Sequence, residues 1–430
     1  MQELVFSLDY AKQRDAHDLL NNFQNKFYFP YIHERKALYF SGASLGLQPH
    51  NTQDEILTEL EDWANYGAEG YFHSRNTWFT YHDLLVNETS NIIGAIPSEV
   101  VIMNQLTVNL HLLLVSFYRP SKQRYKIICE AQAFSSDQYA LESQVRFYGL
   151  DPKETIIEVQ PPPGEYCIAH QDIYAAIEKH KEELALVLWG GVNFFTGQAF
   201  DIKTITDKAH RAGAFAGFDL AHAVGNIELQ LHDWRVDFAV WCSNKYLNAG
   251  PGSVGGAFVH QKYDHENLIR FAGWWGHNKE TRFQMPKNFD PIEGAEGWQI
   301  SNMPILSMAA YKASLSIFEE AGMENIIKKS KDLKKFAEFV FDEVNKQIDV
   351  SNKLEIITPL SSNPKDFFGS GNQISFKTKA NGKKLYEDLL KHGVISDWRE
   401  PEVIHIALVP LYNSFEDVFE LGSILIKLLK

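Results

Sequence analysis

The residues of this sequence with the clearest potential for chemistry are an acid, a histidine and a lysine. Asp219 ends an apolar segment, His222 follows three residues later, and Lys245 stands 26 residues after the acid. Lys245 leaves a second apolar segment and precedes a glycine-rich stretch at positions 250–256. Because burial favours the neutral amine of a lysine, a lysine in this context is a candidate for Schiff-base formation with a carbonyl group.

The acid supplies what a pyridine-containing Schiff-base cofactor requires. A carboxylate beside the ring nitrogen of pyridoxal 5′-phosphate (PLP) keeps the ring an effective electron sink. Taken alone, Asp219 fits a strand-end cap equally well, and Lys245 alone is more typical of a solvated turn. Their order and spacing together favour PLP bound covalently to Lys245.

A PLP site also needs an anion-binding element and a surface for the ring. The segment 104–109 follows an apolar run and opens a predicted helix over Val108–Phe117, with Thr107 at its cap. Backbone N–H groups at such a helix start bind phosphate, although a plain N-cap is the simpler alternative. Phe134 lies between a predicted strand and a helix, where it can stack on a cofactor ring or belong to the core.

Other chemistries have little support in the sequence. The histidines at positions 222, 232, 260, 265 and 277 lack a paired spacing with acids on one helical face, so no metal site is predicted. The segment 42–46 matches the letters of a hydrolase nucleophile motif, yet Pro49 follows and no helix pattern begins at Ser44. The glycines at 250–256 lack the strand–helix context of a dinucleotide site.

Composition narrows the class of protein further. The chain has 430 residues, a formal net charge of −14 and 45% hydrophobic residues, which is enough for two or three domains with a large core. The acidic balance argues against nucleic acid as a partner, and no apolar run is long enough to predict a membrane span. The three cysteines are typical of buried thiols in a reducing compartment, so a cytoplasmic location is expected.

The elements that must position these residues follow from the hydrophobic pattern. Short apolar runs alternate with amphipathic stretches at 136–148, 172–180 and 202–212, which predicts an α/β domain with a mostly parallel sheet. Ligands of such sheets bind beyond the carboxyl ends of the strands. The predicted strands cover residues 100–103, 126–129, 155–159, 184–189, 214–218, 238–242 and 255–259.

A second, smaller α+β domain is predicted toward the C-terminus. Helical patterns cover residues 305–320, 323–347, 383–391 and 415–429, and strands are expected at 354–357, 373–376 and 403–408. The sequence therefore divides into an N-terminal helical segment over 1–90 that packs on both domains, a large PLP-binding α/β domain over 91–305, and a small α+β domain over 306–430.

Eight blocks of the sequence carry a family resemblance, at residues 44–49, 106–113, 217–226, 231–234, 241–250, 273–277, 300–302 and 409–414. They resemble the kynureninase family, whose members are fold-type I PLP enzymes of the aspartate aminotransferase superfamily. The resemblance covers nearly the whole chain. It implies the fold-type I transferase fold and hydrolysis of the Cβ–Cγ bond of an L-kynurenine-like amino acid to L-alanine and an anthranilate, in tryptophan catabolism. It also implies a homodimer with shared active sites.

Individual site residues are implied by the same resemblance. Lys245 matches the Schiff-base lysine, and Asp219 matches the partner of the pyridine nitrogen. Trp274 and Asn302 match residues that close over the phosphate and the substrate from the dimer partner. The remaining cofactor positions are Leu106, Thr107, Phe134, Asp137, His222 and Asn244, and the remaining substrate positions are Tyr71, His277 and His405.

Five matched positions depart from the usual residue of the family. The usual tyrosine before the lysine is Asn244, a serine of the animal enzymes is Gly190, an asparagine is Ala43, and a histidine near the substrate ring is Tyr71. The arginine that clamps the substrate α-carboxylate is replaced by His405. An imidazole that is largely neutral lacks the permanent bidentate grip of a guanidinium.

These departures leave alternatives open. Arg282 or Arg399 are candidates for the missing positive charge. A PLP-dependent decarboxylase, transaminase or other carbon–carbon lyase is the second functional hypothesis, because the altered positions fall on the substrate side. A non-enzymatic binding protein is the third, and retention of Lys245 argues against it.

Overall fold

The structure, a computed structural model, describes residues 4–360 and 369–430. In the first part of the chain, strand β3 pairs in parallel with the C-terminal segment Val394–Ile395, whereas α2 and α4 pack on the helix Ile305–Ala321. The predicted boundaries at residues 90 and 305 stay a prediction. The elements of this first part are α1 (Leu8–Ala16), β1 (Tyr31–Ile32), β2 (Arg35–Lys36), β3 (Leu38–Tyr39), α2 (Thr52–Tyr66), α3 (Gly70–His73) and α4 (Asp83–Ile93).

The middle of the chain forms a seven-stranded sheet flanked by helices. Each of the seven predicted strands is confirmed to within one residue at either end, because most are apolar runs that the sheet buries, whereas the edge strand β6 is only partly buried. The elements are β4 (Val100–Ile102), α5 (Leu106–Phe117), β5 (Lys126–Glu130), α6 (Ser135–Phe147), α7 (Pro152–Thr155), β6 (Ile156–Val159), α8 (His170–His180), β7 (Leu184–Gly190), α9 (Ile202–Arg211), β8 (Phe215–Asp219), β9 (Phe238–Trp241) and β10 (Gly256–Val259).

The strand order in this sheet is β4-β10-β9-β8-β7-β5-β6. Strands β6, β5, β7, β8 and β9 run parallel to one another, and only β10 runs antiparallel to both of its neighbours. The predicted mostly parallel α/β fold is therefore confirmed. Since β5, β7, β8 and β9 are parallel, their carboxyl ends meet at one edge of the sheet.

The last part of the chain forms a smaller antiparallel sheet with helices on it. Its order is β11-β12-β15-β14, and the predicted helices are confirmed within two residues. Strands β13 and β14 escaped prediction because they are short and partly exposed. The elements are α10 (Ile305–Ala321), α11 (Met323–Gln347), β11 (Leu354–Ile356), β12 (Gln373–Thr378), α12 (Gly382–Lys391), β13 (Val394–Ile395), β14 (Asp397–Arg399), β15 (Val403–Ala407) and α13 (Phe415–Leu429).

Two local expectations were tested at helix starts. The expectation that Thr107 caps a helix beginning at Val108 is wrong, because α5 begins at Leu106 and Gln105 is its N-cap. The Thr107 hydroxyl instead forms a 2.7 Å hydrogen bond with that of Ser136. The absence of a helix at Ser44 is confirmed, since the next helix, α2, begins at Thr52. Among the described residues, no helix has the length and apolarity to cross a membrane.

Candidate active site

A cavity of about 230 Å³ opens at the edge where the parallel strands end. The last residues of three strands line it, namely Glu130 of β5, Gly190 of β7 and Asp219 of β8, and Cys242 follows β9 directly. The first turn of α5 forms another wall. The full lining is Leu106, Thr107, Glu130, Phe134, Ser136, Asp137, Gly190, Val192, Phe194, Asp219, Ala221, His222, Cys242, Asn244 and Lys245.

The cavity therefore gathers most of the cofactor positions expected from the sequence. Lys245 projects into it from the loop after β9, with its Nζ atom 5.9 Å from the centroid of the Phe134 ring. Asp219 leaves β8 and accepts a 2.7 Å hydrogen bond from the backbone N–H of Ala221. Thr107 and Ser136 place two hydroxyl groups beside the N-terminus of α5.

Three acids share this buried space with the lysine. Burial raises the pKa of Asp219, while the Ala221 N–H and the charge of Lys245 oppose that rise. Burial, together with the neighbouring carboxylate of Asp219, raises the pKa of Asp137 well above its usual value. Because two adjacent carboxylates resist joint ionisation, Asp137 holds the proton and Asp219 carries the charge.

The third acid, Glu130, explains one departure from the family pattern. Its carboxylate accepts a 2.9 Å hydrogen bond from Asn193, and burial raises its pKa to about 7. A Cβ atom placed on Gly190 would lie 2.6 Å from Glu130 Oε1. A serine at position 190 therefore requires the carboxylate to move, whereas glycine leaves it in place.

Two histidines on this side of the molecule are held neutral. His222 lines the cavity, and burial followed by the charge of Lys245 lowers its pKa well below the usual value. Its Nδ1 atom is buried without a hydrogen-bond partner. His405 is 1% exposed, and burial followed by the charge of Arg399 lowers its pKa to about 3.

The loop around Ser44 packs directly on the lysine segment. The Asn244 side chain donates a 3.2 Å hydrogen bond to the Ser44 carbonyl, and the Gly46 N–H donates a 2.8 Å bond to the Asn244 carbonyl. A Cβ atom at Gly46 would lie 2.4 Å from the Lys245 carbonyl oxygen. Position 46 thus needs glycine, and Asn244 links the loop to the cavity.

Five expected residues lie outside the cavity of their own chain, namely Tyr71, Trp274, His277, Asn302 and His405. The Asn302 amide donates a 2.8 Å hydrogen bond to the Tyr71 hydroxyl. Trp274 donates to the Arg282 carbonyl and is 39% exposed. His277 accepts from the Asp290 N–H at 3.0 Å, and its Nε2 lies 3.0 Å from the Thr281 hydroxyl, so both ring nitrogens have partners.

The two arginines named as candidates for the missing charge have different surroundings. Arg282 is fully buried, and its guanidinium donates to the carbonyls of Trp275 and His277. It also lies 4.5 Å from the Trp275 ring centroid. Arg282 therefore holds its own loop together. Arg399 lies on β14 and donates a 3.1 Å hydrogen bond to the Ser44 hydroxyl, next to the cavity.

One cluster of possible metal ligands was not apparent from sequence spacing. The Glu99 carboxylate lies 3.0 Å from His232 Nδ1 and 3.4 Å from His260 Nδ1, and accepts a 3.0 Å hydrogen bond from the Gln261 N–H. Glu99 is 133 residues from His232 and 162 residues from Gln261 in the chain, so only folding brings these residues together. These contacts satisfy the buried Glu99 carboxylate.

The residues of the cavity fit PLP. The site combines a lysine amine, a carboxylate for the ring nitrogen, a helix N-terminus with two hydroxyl groups for the phosphate, and an aromatic ring at the mouth. The unpartnered Nδ1 atom of His222 is a further polar group that faces this buried space. Buried polar atoms normally have partners, so a polar ligand is expected here.

Comparison with known proteins identifies the families and relatives that this chain resembles. Residues 38–357 match the aminotransferase class-V family, and residues 326–425 match the kynureninase C-terminal domain. Kynureninase of Flavobacterium johnsoniae is 51% identical, with 97% of each chain covered. Kynureninase of Myxococcus xanthus is 49% identical, with 96% of this chain and 95% of that protein covered.

Solved structures share the fold at low sequence identity. The apo cysteine desulfurase of Thermococcus onnurineus NA1 superposes with a TM-score of 0.71 at 17% identity, covering 91% of this chain and 94% of that one. The cystine C-S lyase C-DES gives a TM-score of 0.72 at 15% identity, covering 91% and 97%. These likenesses show the fold, and the near-full-length identity of about one half shows that the chain belongs to the kynureninase family.

Proposed function

We propose that this protein is a PLP-dependent hydrolase that cleaves the Cβ–Cγ bond of L-kynurenine or a closely related amino acid, releasing L-alanine and an anthranilate-type product. The observation that carries the proposal is the joint placement of Lys245, Asp219 and the α5 N-terminus around one cavity. The chain also shares 51% identity with a kynureninase over 97% of its length.

In this proposal, the residues that line the cavity have distinct chemical roles. PLP, when bound, supplies an electron sink for carbanion chemistry. Lys245 would hold the cofactor covalently, and its Nζ amine would serve to move a proton. The ionised Asp219 would pair with the ring nitrogen, and Phe134 would pack against the ring. Thr107, Ser136 and the first N–H groups of α5 bind the phosphate.

The remaining polar residues shape the site around the reacting groups. His222 is neutral, so its buried Nδ1 offers a hydrogen bond without adding charge to the cofactor pocket. Asn244 has an amide where the family usually has a phenol, and an amide does not exchange protons in the physiological range. We infer that Asn244 orients the Lys245 loop through Ser44 and that proton transfer rests on other groups.

The proposal includes a homodimer in which Trp274 and Asn302 complete the partner's site. Its support is the position of these residues outside their own cavity and the exposed aromatic surface around them. Phe72 is 51% exposed, and Phe283 is 52% exposed. Exposed aromatic clusters of this kind are typical of protein interfaces. The cytoplasmic location and the place in tryptophan catabolism stay predictions.

The direct test is product analysis with purified protein loaded with PLP. Incubation with L-kynurenine is expected to release fluorescent anthranilate and an equal amount of L-alanine. 3-Hydroxykynurenine tests the related substrate in parallel. Protein that retains PLP on Lys245, shown by borohydride trapping, but releases no anthranilate from either compound would contradict the proposal.

A further inference from the structure

Three polar side chains lie on one face of the C-terminal sheet. In the antiparallel pair of β14 and β15, Asp397 stands opposite His405 and Arg399 stands opposite Val403. Residues that face each other across an antiparallel pair project to the same side, as do alternate residues along a strand. Asp397, Arg399 and His405 therefore share one face, with Arg399 and His405 as diagonal neighbours.

This face adjoins the cavity that holds Lys245. Arg399 Nη2 donates a 3.1 Å hydrogen bond to the Ser44 hydroxyl, and the Ser44 carbonyl accepts from Asn244, which lines the cavity. The charge of Arg399 also contributes to lowering the pKa values of both His222 and His405. The guanidinium therefore acts electrostatically on the cavity wall and on the strand behind it.

One donor atom on this face, Arg399 Nε, is buried and has no hydrogen-bond partner among the described residues. Across residues 4–360 and 369–430, Arg399 forms no ion pair within 4.0 Å. The nearby carboxylate of Asp397 accepts instead from the hydroxyls of Ser41 and Ser44. A buried donor without a partner has lost its hydrogen bonds to water, so a ligand that accepts from Arg399 Nε is favoured.

The cavity itself has little positive charge to offer an anionic ligand. Among its described lining residues, Lys245 is the only cation, and it faces the acids Glu130, Asp137 and Asp219. An amino-acid substrate brings a carboxylate into this acidic space. Arg282 is less suited because its Nε and Nη2 donate to carbonyls of its own loop, which leaves only Nη1 without a partner among the described residues.

We propose that Arg399 binds the α-carboxylate of the amino-acid substrate. The inference rests on the proposed function in that the substrate is an amino acid. Arg399, on a strand that the sequence pattern did not predict, thus supplies the positive charge that position 405 lacks. A guanidinium on β14 reaches the carboxylate from the neighbouring strand and keeps a charge-assisted hydrogen bond.

The test compares ligands that differ only in the carboxylate. L-Alanine and L-alaninamide are titrated into the PLP-loaded protein, and binding is followed by the change in cofactor absorbance. The Arg399→Met variant is expected to lose roughly a hundredfold in affinity for L-alanine and little for the amide, because one charged partner is removed. Arg399→Lys keeps the positive charge but loses the bidentate geometry of the guanidinium, so its affinity for L-alanine is expected to fall roughly tenfold.

The matched control is Arg146→Met on the exposed face of α6, where Arg146 pairs with Glu142. It is expected to bind both ligands as the unaltered protein does. The double variant Arg399→Met, His405→Arg places a guanidinium at position 405. It is expected to bind L-alanine at least tenfold more tightly than the single variant Arg399→Met does. PLP absorbance and circular dichroism check that each variant is folded and loaded.

Failure of this inference is separable from failure of the proposed function. If Arg399→Met or Arg399→Lys keeps the full preference for L-alanine over its amide, the inference is overturned, whatever happens with kynurenine. If the unaltered protein prefers L-alanine but releases no anthranilate from L-kynurenine, the proposed reaction fails while the assignment of Arg399 stands.

Discussion

Two neighbouring regions of the site differ in how they are built. The strand-end side is formed by the ends of parallel strands and the start of α5, lines the cavity, and holds Lys245, Asp219 and Thr107. The sheet-face side is formed by the Ser44 loop and the face of β14 and β15 with Arg399 and His405, and it adjoins the cavity. The strand-end side has the residues that PLP chemistry requires. The sheet-face side has a buried neutral histidine where the resemblance to the family implies an arginine.

This contrast indicates a division of labour between cofactor and substrate. The strand-end side draws on one continuous sheet whose edge is set by buried apolar strands. The sheet-face side is assembled from segments that are more than 350 residues apart in the chain, as Ser44 and Arg399 show. Substitutions there leave the cofactor wall intact, so substrate recognition can change while the chemistry persists.

The largest effect is expected on the strand-end side, from Lys245→Ala. Loss of both covalent attachment and the proton-carrying amine should lower anthranilate release by about 10⁴-fold or more. Borohydride should no longer trap PLP on the protein. The exposed Lys181→Ala variant, which loses only its pair with Glu178, serves as the control. Substantial activity without Lys245 would contradict its assignment.

Asp219→Asn tests the same side with a smaller change. The amide has the shape of the carboxylate but no charge to stabilise the protonated ring nitrogen, so kcat should fall by roughly 10²–10³-fold. The KM for L-kynurenine should change little, since substrate recognition belongs to the sheet-face side. Equal losses in kcat and in substrate affinity would contradict the assignment of cofactor binding and substrate recognition to different sides.

The buried carboxyl group of Glu130, on the strand-end side, is expected to make the stability of the protein depend on pH. Its pKa is raised from 4.5 to about 7, so the folded state binds more protons than the unfolded state between these values. Its contribution to stability is therefore present below pH 4.5 and is lost as the pH rises toward 7, by about 3 kcal/mol.

The comparison is made with Glu130→Gln, which keeps the shape and removes the charge. Urea unfolding at several pH values should show the variant gaining stability relative to the unaltered protein as the pH increases from 5 to 7.5. A constant difference across this range would mean that the Glu130 carboxyl ionises normally in the folded protein.

The smallest effect concerns the residues outside their own cavity. Lys245→Ala and Asn302→Ala protomers, each of low activity alone, should regain about one quarter of full activity when mixed, unfolded and refolded together. Half of randomly paired dimers are mixed, and each has one intact site if Asn302 serves the partner's cavity. No recovery would place Asn302 in its own subunit's site or outside any site.

The sequence alone determined the central sheet and the strand-end side of the cavity. Seven largely apolar runs predicted its strands to within one residue, because burial of most of these strands leaves little polar alternation to obscure the pattern. Lys245 and Asp219 follow such runs, so their meeting at one sheet edge follows from parallel topology. The blocks resembling kynureninases predicted the family that the comparisons confirm.

Tertiary structure alone decided the rest of the site. Strands β13 and β14 are two and three residues long, too short to form a periodic pattern, so the position of Arg399 on a sheet face was not predictable. The start of α5 at Leu106 was missed because Gln105 caps it without a side-chain bond. The position of Arg399 beside the cavity likewise depends on its contact with Ser44, 355 residues away in the chain, which local sequence does not contain.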